Sequence, residues 1–320
     1  MLPSFEDVTL SIPRPHVLLV TLNKPDKRNA VNSAMDRHLV ATWDFYEKSD
    51  DLWCCVVTGA GSAFCAGLDL AEIARIKSVG QAADRLFGGF AGLTFKSGLN
   101  KPIIAAVNGP AYGGGFELVL ACDIILSSTD AQFGLWEVKR GIAPISGGAV
   151  HLPRVIGYHN AMLVMLTGRN YTATEMKDFG LVQTIVEPES LLNTALALAE
   201  EIAGNSPDGV RVAKACAKVG LELGWDRANV DALLVPEVAA MFAGSNIREG
   251  VRAFKEKRPP SWSPPLDTQS WTVWTMGCGL WSLSKWAALT RGTTTTGIFV
   301  GGSLAAAAVA LYVAKTGRRR

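Results

Sequence analysis

Short apolar runs rich in β-branched residues alternate with longer helix-like stretches over about the first 190 residues of the chain. Such runs predict buried strands, and clear examples are 17–22, 54–59 and 103–106. Beyond that point the pattern of apolar positions is helical. This alternation predicts an α/β fold with parallel strands, followed by a helical region.

Glycine-containing turns follow two of these strand-like runs. The stretch 62–70 reads SAFCAGLDL and the stretch 107–115 reads VNGPAYGGG, so each passes from a strand through glycine to a helix start. At such points backbone N–H groups lack intrahelical partners and carry positive partial charge, and glycine lets another group approach closely. A single glycine turn usually binds no ligand. Two such turns that converge would form an oxyanion hole, and their order and spacing favour that interpretation.

Glu117 and Glu137 lie twenty positions apart, and each follows a glycine-containing turn inside an apolar stretch. Burial would raise the pKa of a glutamate toward the range that is useful for proton transfer near neutral pH. Two such carboxylates facing one small cavity could share acid and base roles. From these positions alone, a solvated surface location is an equally good interpretation.

At these residues the chain resembles the enoyl-CoA hydratase/isomerase family, the crotonase superfamily, from about residue 17 to residue 258. The matching segments are 23–25, 28–30, 64–70, 108–117, 121–125, 133–137, 166–169, 180–182 and 249–258. The resemblance implies a crotonase-like spiral of ββα units with a C-terminal helical trimerisation region, and we expect a homotrimer or hexamer. It does not fix the reaction, because the family supports several chemistries on one scaffold.

The resemblance also implies a site for an acyl-CoA thioester. The N–H groups of Leu68 and Gly114 would bind the thioester oxygen and stabilise an enolate. Glu117 would orient and deprotonate the attacking water, and Glu137 would deliver a proton to the α-carbon of a trans-2-enoyl thioester. The implied CoA-binding residues are Lys24, Lys27, Arg28, Ala66, Leu68, Asp69, Leu70, Ala71, Gly114, Phe254 and Lys257. For the lysines, a solvated surface position is an equal alternative.

Because both glutamates are present, we expect a hydratase, that is, a hydro-lyase acting in fatty acid or related acyl-CoA metabolism. The alternatives are an enoyl-CoA delta-isomerase, for which the family keeps only the carboxylate matching Glu137, and a membrane-tethered acyl-CoA binding protein without activity. Trp136 stands where many hydratases have proline, and the loop 141–148 also departs from the usual pattern. We therefore expect a preference that differs from straight short-chain enoyl thioesters, with Trp136 either lining the acyl pocket or packed as ordinary core.

Composition and charge exclude several other classes of protein. The formal net charge is +2 and no basic stripe interleaves with aromatic residues before the C-terminus, so no nucleic-acid partner is expected. The six cysteines lack metal-ligand spacing, so we expect no metal site and a reducing compartment. No cofactor is expected beyond the CoA of the substrate.

Five segments are predicted along the chain. They are a crotonase core at 1–200, a helical oligomerisation region at 201–258, a Pro- and Trp-rich linker or interfacial segment at 259–291, a candidate transmembrane helix at 292–314 and a basic tail at 315–320. The stretch 292–314 has no charged residue, and its apolar part would span roughly 27 Å as a helix, about the thickness of a bilayer core.

The first residues of the chain are too polar for a signal peptide, so the stretch 292–314 is predicted to be a C-terminal tail anchor. The predicted location of this anchor is the peroxisomal or mitochondrial outer membrane. Without insertion, the protein would be peroxisomal, mitochondrial or cytosolic. The alternatives for the segment are an Ala- and Gly-rich soluble helix, a flexible extension and a tail that is absent from the native protein.

Overall fold

The computed structural model describes residues 1–74, 78, 88–266 and 268, which belong to one compact unit within Met1–Trp274. The strands of this part are β1 Val8–Arg14, β2 Val17–Leu22, β3 Cys54–Gly59, β4 Ile103–Val107, β5 Ala111–Tyr112, β6 Ile124–Ser128, β7 Gln132–Gly134, β8 Tyr171–Thr172 and β9 Thr184–Val186. A large sheet has the order β1-β2-β3-β4-β6-β9, and a small sheet has the order β5-β7-β8.

The helices of the described residues are interspersed with the strands up to β9, and after β9 only helices follow. They are α1 Ser33–Lys48, α2 Leu70–Ile73, α3 Gly114–Leu120, α4 Gly148–Ile156, α5 Tyr158–Thr167, α6 Ala173–Asp178, α7 Pro188–Ala203, α8 Pro207–Glu222, α9 Trp225–Asp231, α10 Pro236–Ala243 and α11 Asn246–Glu256. Three-residue and four-residue 3-10 turns occur at Pro25–Lys27, Glu137–Arg140 and Ala232–Leu234. The predicted α/β part followed by helices is confirmed.

Both faces of the large sheet are buried, because β3 and β4 consist of apolar residues apart from Thr58 and Gly59. One face packs against α1 through Leu39 and Trp43, and the other packs against α7 through Leu191 and Ala195. Fully burying each large apolar side chain contributes about 1.5–3 kcal/mol, so these two cores hold the sheet between its helices.

Parallel pairing brings the functional loops to one edge. β2, β3, β4, β6 and β9 pair in parallel, whereas β1 pairs with β2 antiparallel. The antiparallel β1 was not part of the sequence prediction. Since the carboxyl ends of parallel strands lie at the same edge of a sheet, the loops that leave β3 and β4 emerge side by side.

The C-terminal helices are attached to the α/β part by charged contacts. Arg211 of α8 lies 3.3 Å from the carboxylate of Glu47, and Lys214 lies 2.6 Å from that of Asp123. The boundary predicted between residues 200 and 201 falls within α7.

The start of the predicted linker packs against the helical region. Trp262 donates its indole N–H to Gly204 O at 2.8 Å, and Ser263 N donates to Asn246 Oδ1 at 2.8 Å. Most of the predicted segment 259–291, the candidate transmembrane helix 292–314 and the basic tail lie outside the described residues. Within the described residues, no helix has both the length and the apolar character needed to cross a membrane.

Candidate active site

Two backbone loops meet at the edge of the large sheet. Tyr112 N donates to Cys65 O at 2.9 Å, so the loop after β3 pairs with the loop after β4. Gly67 has φ of +92°, and a Cβ added there would lie 2.7 Å from Tyr112 O and 3.2 Å from Gly114 N. Glycine at position 67 is therefore required by both its backbone conformation and the close approach of the neighbouring chain.

The predicted oxyanion-hole donors, Leu68 and Gly114, lie in these two loops. Among the described residues, neither backbone N–H has a protein acceptor. The chain around Leu68 is fixed because Val31 N donates to Gly67 O at 2.9 Å and Asp69 N donates to Val31 O at 3.0 Å. Gly114 begins α3, where backbone N–H groups carry positive partial charge. Two free donors held by paired backbone are suited to bind a developing oxyanion.

Glu117 lies in the first turn of α3 and is only 4% exposed. Its Oε1 accepts a hydrogen bond of 2.9 Å from Gly148 N, the first residue of α4. The pKa of Glu117 is raised to about 7, mainly by burial and to a smaller extent by the nearby Glu137 carboxylate, against the lowering effect of the backbone N–H groups of Gly148 and Ser146. A glutamate in this state can exchange a proton near neutral pH.

Glu137 follows β7 and opens a 3-10 turn, and it is 9% exposed. Among the described residues, its Oε2 atom has no hydrogen-bond partner although it is buried. A Cβ added at Gly113, next to the oxyanion loop, would lie 3.3 Å from Glu137 Oε1. Burial raises the pKa of Glu137. A buried carboxylate oxygen without a partner is costly, so its persistence indicates a chemical role.

The solvated-surface interpretation of the two glutamates is therefore wrong. Glu137 lies beside Gly113, and Glu117 lies in the first turn of the helix that begins at Gly114, so both carboxylates are close to the oxyanion loop. This arrangement can move two protons at a substrate whose carbonyl oxygen is held by Leu68 and Gly114.

Trp136 does not pack as ordinary core. Its ring stacks on Tyr112 with centroids 3.9 Å apart, and its indole N–H donates to Asn170 Oδ1 at 2.7 Å. The side chain of Trp136 is thus held by residues that are 24 and 34 positions away in sequence, which its local sequence does not signal.

Two of the predicted CoA-binding segments lie together. Ala66 N donates to Arg28 O at 2.9 Å, so the turn at 24–28 lies beside the loop at 66–71. Lys27 and Arg28 are exposed, whereas Lys24 is half-buried and its Nζ donates to Ala30 O at 3.4 Å. The backbone of the 66–71 loop turns into α2, where Ala71 N donates to the side chain of Asp69 and Leu70 is the first helical residue.

The other predicted CoA-binding residues lie on α11 and at its end. Phe254 is 86% exposed, and Lys257 ends the helix in a left-handed conformation with φ of 53°. Among the described residues, no hydrogen bond links either of them to the turn at 24–28. A shallow groove on α10 and α11 is lined in part by Phe242, Val251 and Lys255. Neither Glu117 nor Glu137 lines it.

The structure adds residues that the sequence prediction did not identify. Gly148 supplies the N–H that fixes Glu117, and Phe90 covers Gly114 so closely that an added Cβ would lie 2.5 Å from its ring. For the role of Gly148, the sequence signal is the pair of glycines at 147–148, at the start of α4. Among the described residues, no group of three or more His, Cys, Asp or Glu could hold a metal ion.

The chain is similar to known proteins along most of its length. The family model for enoyl-CoA hydratase/isomerase matches residues 14–265. A mevalonyl-coenzyme A hydratase from Aspergillus fumigatus is 42% identical over 82% of this chain and 97% of its own length. A mevalonyl-coenzyme A hydratase from Beauveria bassiana is also 42% identical, over 81% of this chain and 96% of its own length.

Solved structures agree with this assignment. The crystal structure of an enoyl-CoA hydratase from Bacillus anthracis superposes with a TM-score of 0.76 at 33% identity, and covers 81% of this chain and 100% of its own. Residues 14–265, which the family model matches, include β2 to β9, the converging loops and both glutamates. The chain belongs to the enoyl-CoA hydratase/isomerase family, the crotonases.

Proposed function

We propose that this chain adds water reversibly to the double bond of a trans-2-enoyl-CoA thioester, with Glu117 and Glu137 as its two proton carriers. One observation carries the proposal: both carboxylates are buried beside a pair of backbone N–H groups that have no protein acceptor among the described residues. Burial raises the pKa of each carboxyl group, and it brings that of Glu117 to about 7, so this group can take up and release a proton near neutral pH.

In the forward direction, the thioester oxygen accepts hydrogen bonds from Leu68 and Gly114. Glu117, as the carboxylate, takes a proton from water while the water oxygen bonds to C3. The π electrons of the C2–C3 bond move toward the carbonyl and form an enolate, which the two N–H groups stabilise. Glu137, as the carboxylic acid, then donates its proton to C2, and dehydration follows the reverse path. Loss of one oxyanion-hole donor lowers kcat roughly 100- to 1,000-fold in well-studied enzymes.

The proposed substrate class is a branched, hydroxylated acyl-CoA of the mevalonyl type. Two relatives at 42% identity are named mevalonyl-CoA hydratases. Mevalonyl-CoA carries both a hydroxyl and a methyl group on C3, and loss of that hydroxyl with a C2 proton gives a branched 2-enoyl thioester. A Cβ added at Gly148 would lie 3.0 Å from Pro144 Cβ and 3.2 Å from Glu117 Oε1, so the apolar ring of Pro144 lies close to this carboxylate, which suits a branched chain.

The contacts of Glu117 favour hydratase over isomerase. An isomerase that moves a proton between two carbons needs one carboxylate, for which Glu137 suffices. Here Glu117 is also buried and is oriented by the Gly148 N–H, as a water-activating base requires. A binding protein without activity is disfavoured as well, because keeping two buried carboxylates costs stability and would serve no purpose in it.

Mass spectrometry of single turnovers tests this proposal. The purified full-length protein would be mixed with 2-enoyl, 3-enoyl and 3-hydroxyacyl thioesters, including mevalonyl-CoA and crotonyl-CoA. Gain or loss of one water, fastest with the branched hydroxylated substrate, is the expected result. A shift of the double bond without a mass change would make the protein an isomerase, and binding without conversion would make it a carrier. Crotonyl-CoA as the best substrate would overturn the proposed substrate class.

A further inference from the structure

A stacked aromatic pair connects the two halves of the candidate site. Tyr112 ends β5, one residue before Gly113 and two before the donor Gly114, and Trp136 immediately precedes Glu137. Their rings stack with centroids 3.9 Å apart and an interplanar angle of 24°. The pair thus joins the segment that carries an oxyanion-hole N–H to the segment that carries the proposed proton donor.

Two exposed amides hold the stacked rings in place. Asn170 accepts the indole N–H of Trp136 at 2.7 Å and donates to the Tyr112 hydroxyl at 3.2 Å and to Gln132 Oε1 at 3.0 Å. The Tyr112 hydroxyl in turn donates to Gln132 Oε1 at 2.9 Å. Each polar group therefore has a consistent donor or acceptor role, and the four side chains form one connected network.

The backbone at this place is weakly constrained without the side chains. β5 has two residues and β7 has three, and they pair at only two positions. Gly113 donates to Gly134 O at 2.8 Å, but both residues are glycines, which have wide conformational freedom. These short pairings, together with the two positions at which β7 pairs with β8, end at Gly134 and do not by themselves fix a carboxylate that lies three residues beyond the end of β7.

We propose that Tyr112 and Trp136 are positioning residues, whose stacking fixes the Glu137 carboxylate relative to the Gly114 N–H. The inference rests on the proposed function, since it assigns the pair to the geometry of that reaction. The pair acts through Glu137 and Gly114 and touches neither proton. Because a displacement of about 1 Å can lower the rate of an enzyme roughly 100-fold, the network is expected to influence kcat more than substrate binding.

The test compares two replacements of Trp136 in the full-length protein. Trp136→Leu removes the stacking and the indole hydrogen bond, and is expected to lower kcat roughly 10- to 100-fold with KM changed less than about threefold. Trp136→Phe keeps a ring on Tyr112 and loses only the bond to Asn170, so it is expected to recover most of the lost kcat. A merely structural tryptophan would not produce this split between kcat and KM or this rescue.

Trp53 provides a matched control at the opposite end of β3. It stacks on His16 with centroids 3.7 Å apart, donates its indole N–H to Asp50 O at 2.7 Å and is 7% exposed. Trp53→Leu therefore removes the same kinds of contact and should lower the melting temperature while leaving kcat near that of the unchanged protein.

Two further variants keep the test decisive if Trp136→Leu does not fold. Asn170 is exposed, so Asn170→Ala removes the hydrogen bonds with little risk to folding, and a fall in kcat of about three- to tenfold is expected. In a double-mutant cycle, Trp136→Phe combined with Asn170→Ala should lower kcat no more than Asn170→Ala alone, because both remove the same bond.

The outcomes separate failure of this inference from failure of the proposed function. Unchanged kcat in Trp136→Leu and Asn170→Ala, with activity still abolished by Glu137→Gln, would overturn the positioning role and leave the hydratase proposal intact. Equal losses of kcat in Trp53→Leu and Trp136→Leu would also overturn it. Absence of water addition by the unchanged protein would overturn the proposed function and this inference with it.

Discussion

The backbone N–H of Gly148 donates a 2.9 Å hydrogen bond to Oε1 of Glu117, across 31 positions of sequence. The bond joins the first residue of α4 to the first turn of α3 and fixes one carboxylate oxygen, which leaves the other oxygen to meet a water molecule. Burial keeps the pKa of this group near 7 in spite of the bond. The relationship explains how a buried glutamate can be both held in place and able to carry a proton.

Glycine at position 67 is predicted to be essential for the oxyanion hole. Gly67→Ala would place a Cβ 2.7 Å from Tyr112 O at a φ of +92°, so the two loops would separate and the Gly114 and Leu68 donors would diverge. A loss of kcat of roughly 100-fold or more is expected, as for removal of an oxyanion-hole donor. Steady-state kinetics on the purified variant measures it.

The control for this change is Gly180→Ala. Gly180 also has a positive φ, +87°, but no atom lies within 4 Å of the added Cβ. The Gly180→Ala variant should lose about 1–2 kcal/mol of stability because of backbone strain, and its kcat should be unchanged. If the two variants lost stability equally and both kept full activity, the close approach at Gly67 would have no bearing on catalysis.

Stability is predicted to depend on pH through Glu117. Its pKa is about 7 in the folded protein and 4.5 ordinarily, so the folded state binds this proton more tightly than the unfolded chain. The associated stabilisation is fully present below about pH 4.5 and is lost as the pH rises through 7. The difference of about 2.5 pKa units corresponds to about 3 kcal/mol.

Urea denaturation of the unchanged protein and of Glu117→Gln at pH 5 and pH 8 measures this dependence. At pH 8 the buried Glu117 is ionised, whereas a glutamine at this position stays neutral. The free energy of unfolding of Glu117→Gln should therefore be higher than that of the unchanged protein at pH 8. The exposed residue Glu189 supplies the control, and Glu189→Gln should follow the unchanged protein at both values. A difference between Glu117→Gln and the unchanged protein that is the same at pH 5 and pH 8 would argue against the raised pKa.

Catalysis is predicted to show the same bell-shaped pH profile in both directions. Hydration requires Glu117 ionised and Glu137 protonated, and dehydration requires the reverse, so both directions use the pair with one shared proton. In plots of kcat/KM against pH, the acidic and basic limbs should therefore fall at the same pH values for an enoyl substrate and for a 3-hydroxyacyl substrate. Limbs that differ between the two directions would show that another group carries one of the protons.

The C-terminal segment is predicted to anchor the protein to a membrane. The charge-free stretch 292–314 lies outside the described residues, and the proposal rests on its length and composition. Alkaline carbonate extraction of membranes should leave the full-length protein in the pellet, and deletion of residues 292–320 should release an active enzyme. Full-length protein in the carbonate supernatant would contradict the anchor.

Local signals in the sequence indicated the fold class and the positions of the two glycine loops and of the two glutamates, whereas their roles came from the family resemblance. Strand-like runs ending in glycine located the loops at Gly67 and Gly114, because glycine at a strand end reports a local backbone requirement. Helix starts after those loops located Glu117 in the same way. These features depend on a few adjacent residues, which a single sequence displays.

Contacts between distant segments could not be predicted in the same way. The sequence left open whether Trp136 packs in the core or lines the pocket, and the structure places it against Tyr112 and Asn170. The Gly148 N–H was missed for a similar reason, since its acceptor is 31 positions away. Side-chain direction in such cases is determined by packing between elements, which the periodicity of one segment does not encode.

Single-turnover hydration by the full-length protein and by its Glu117→Gln and Glu137→Gln variants tests the central claim most directly. In each variant a near-isosteric amide replaces the carboxylate, so the fold and the oxyanion hole remain while one proton carrier is lost. Because general acid–base catalysis contributes roughly 100- to 10,000-fold, each variant should lose at least about 100-fold in water addition and still bind the thioester. Water addition within about tenfold of the unchanged rate in either variant would contradict the two-carboxylate account.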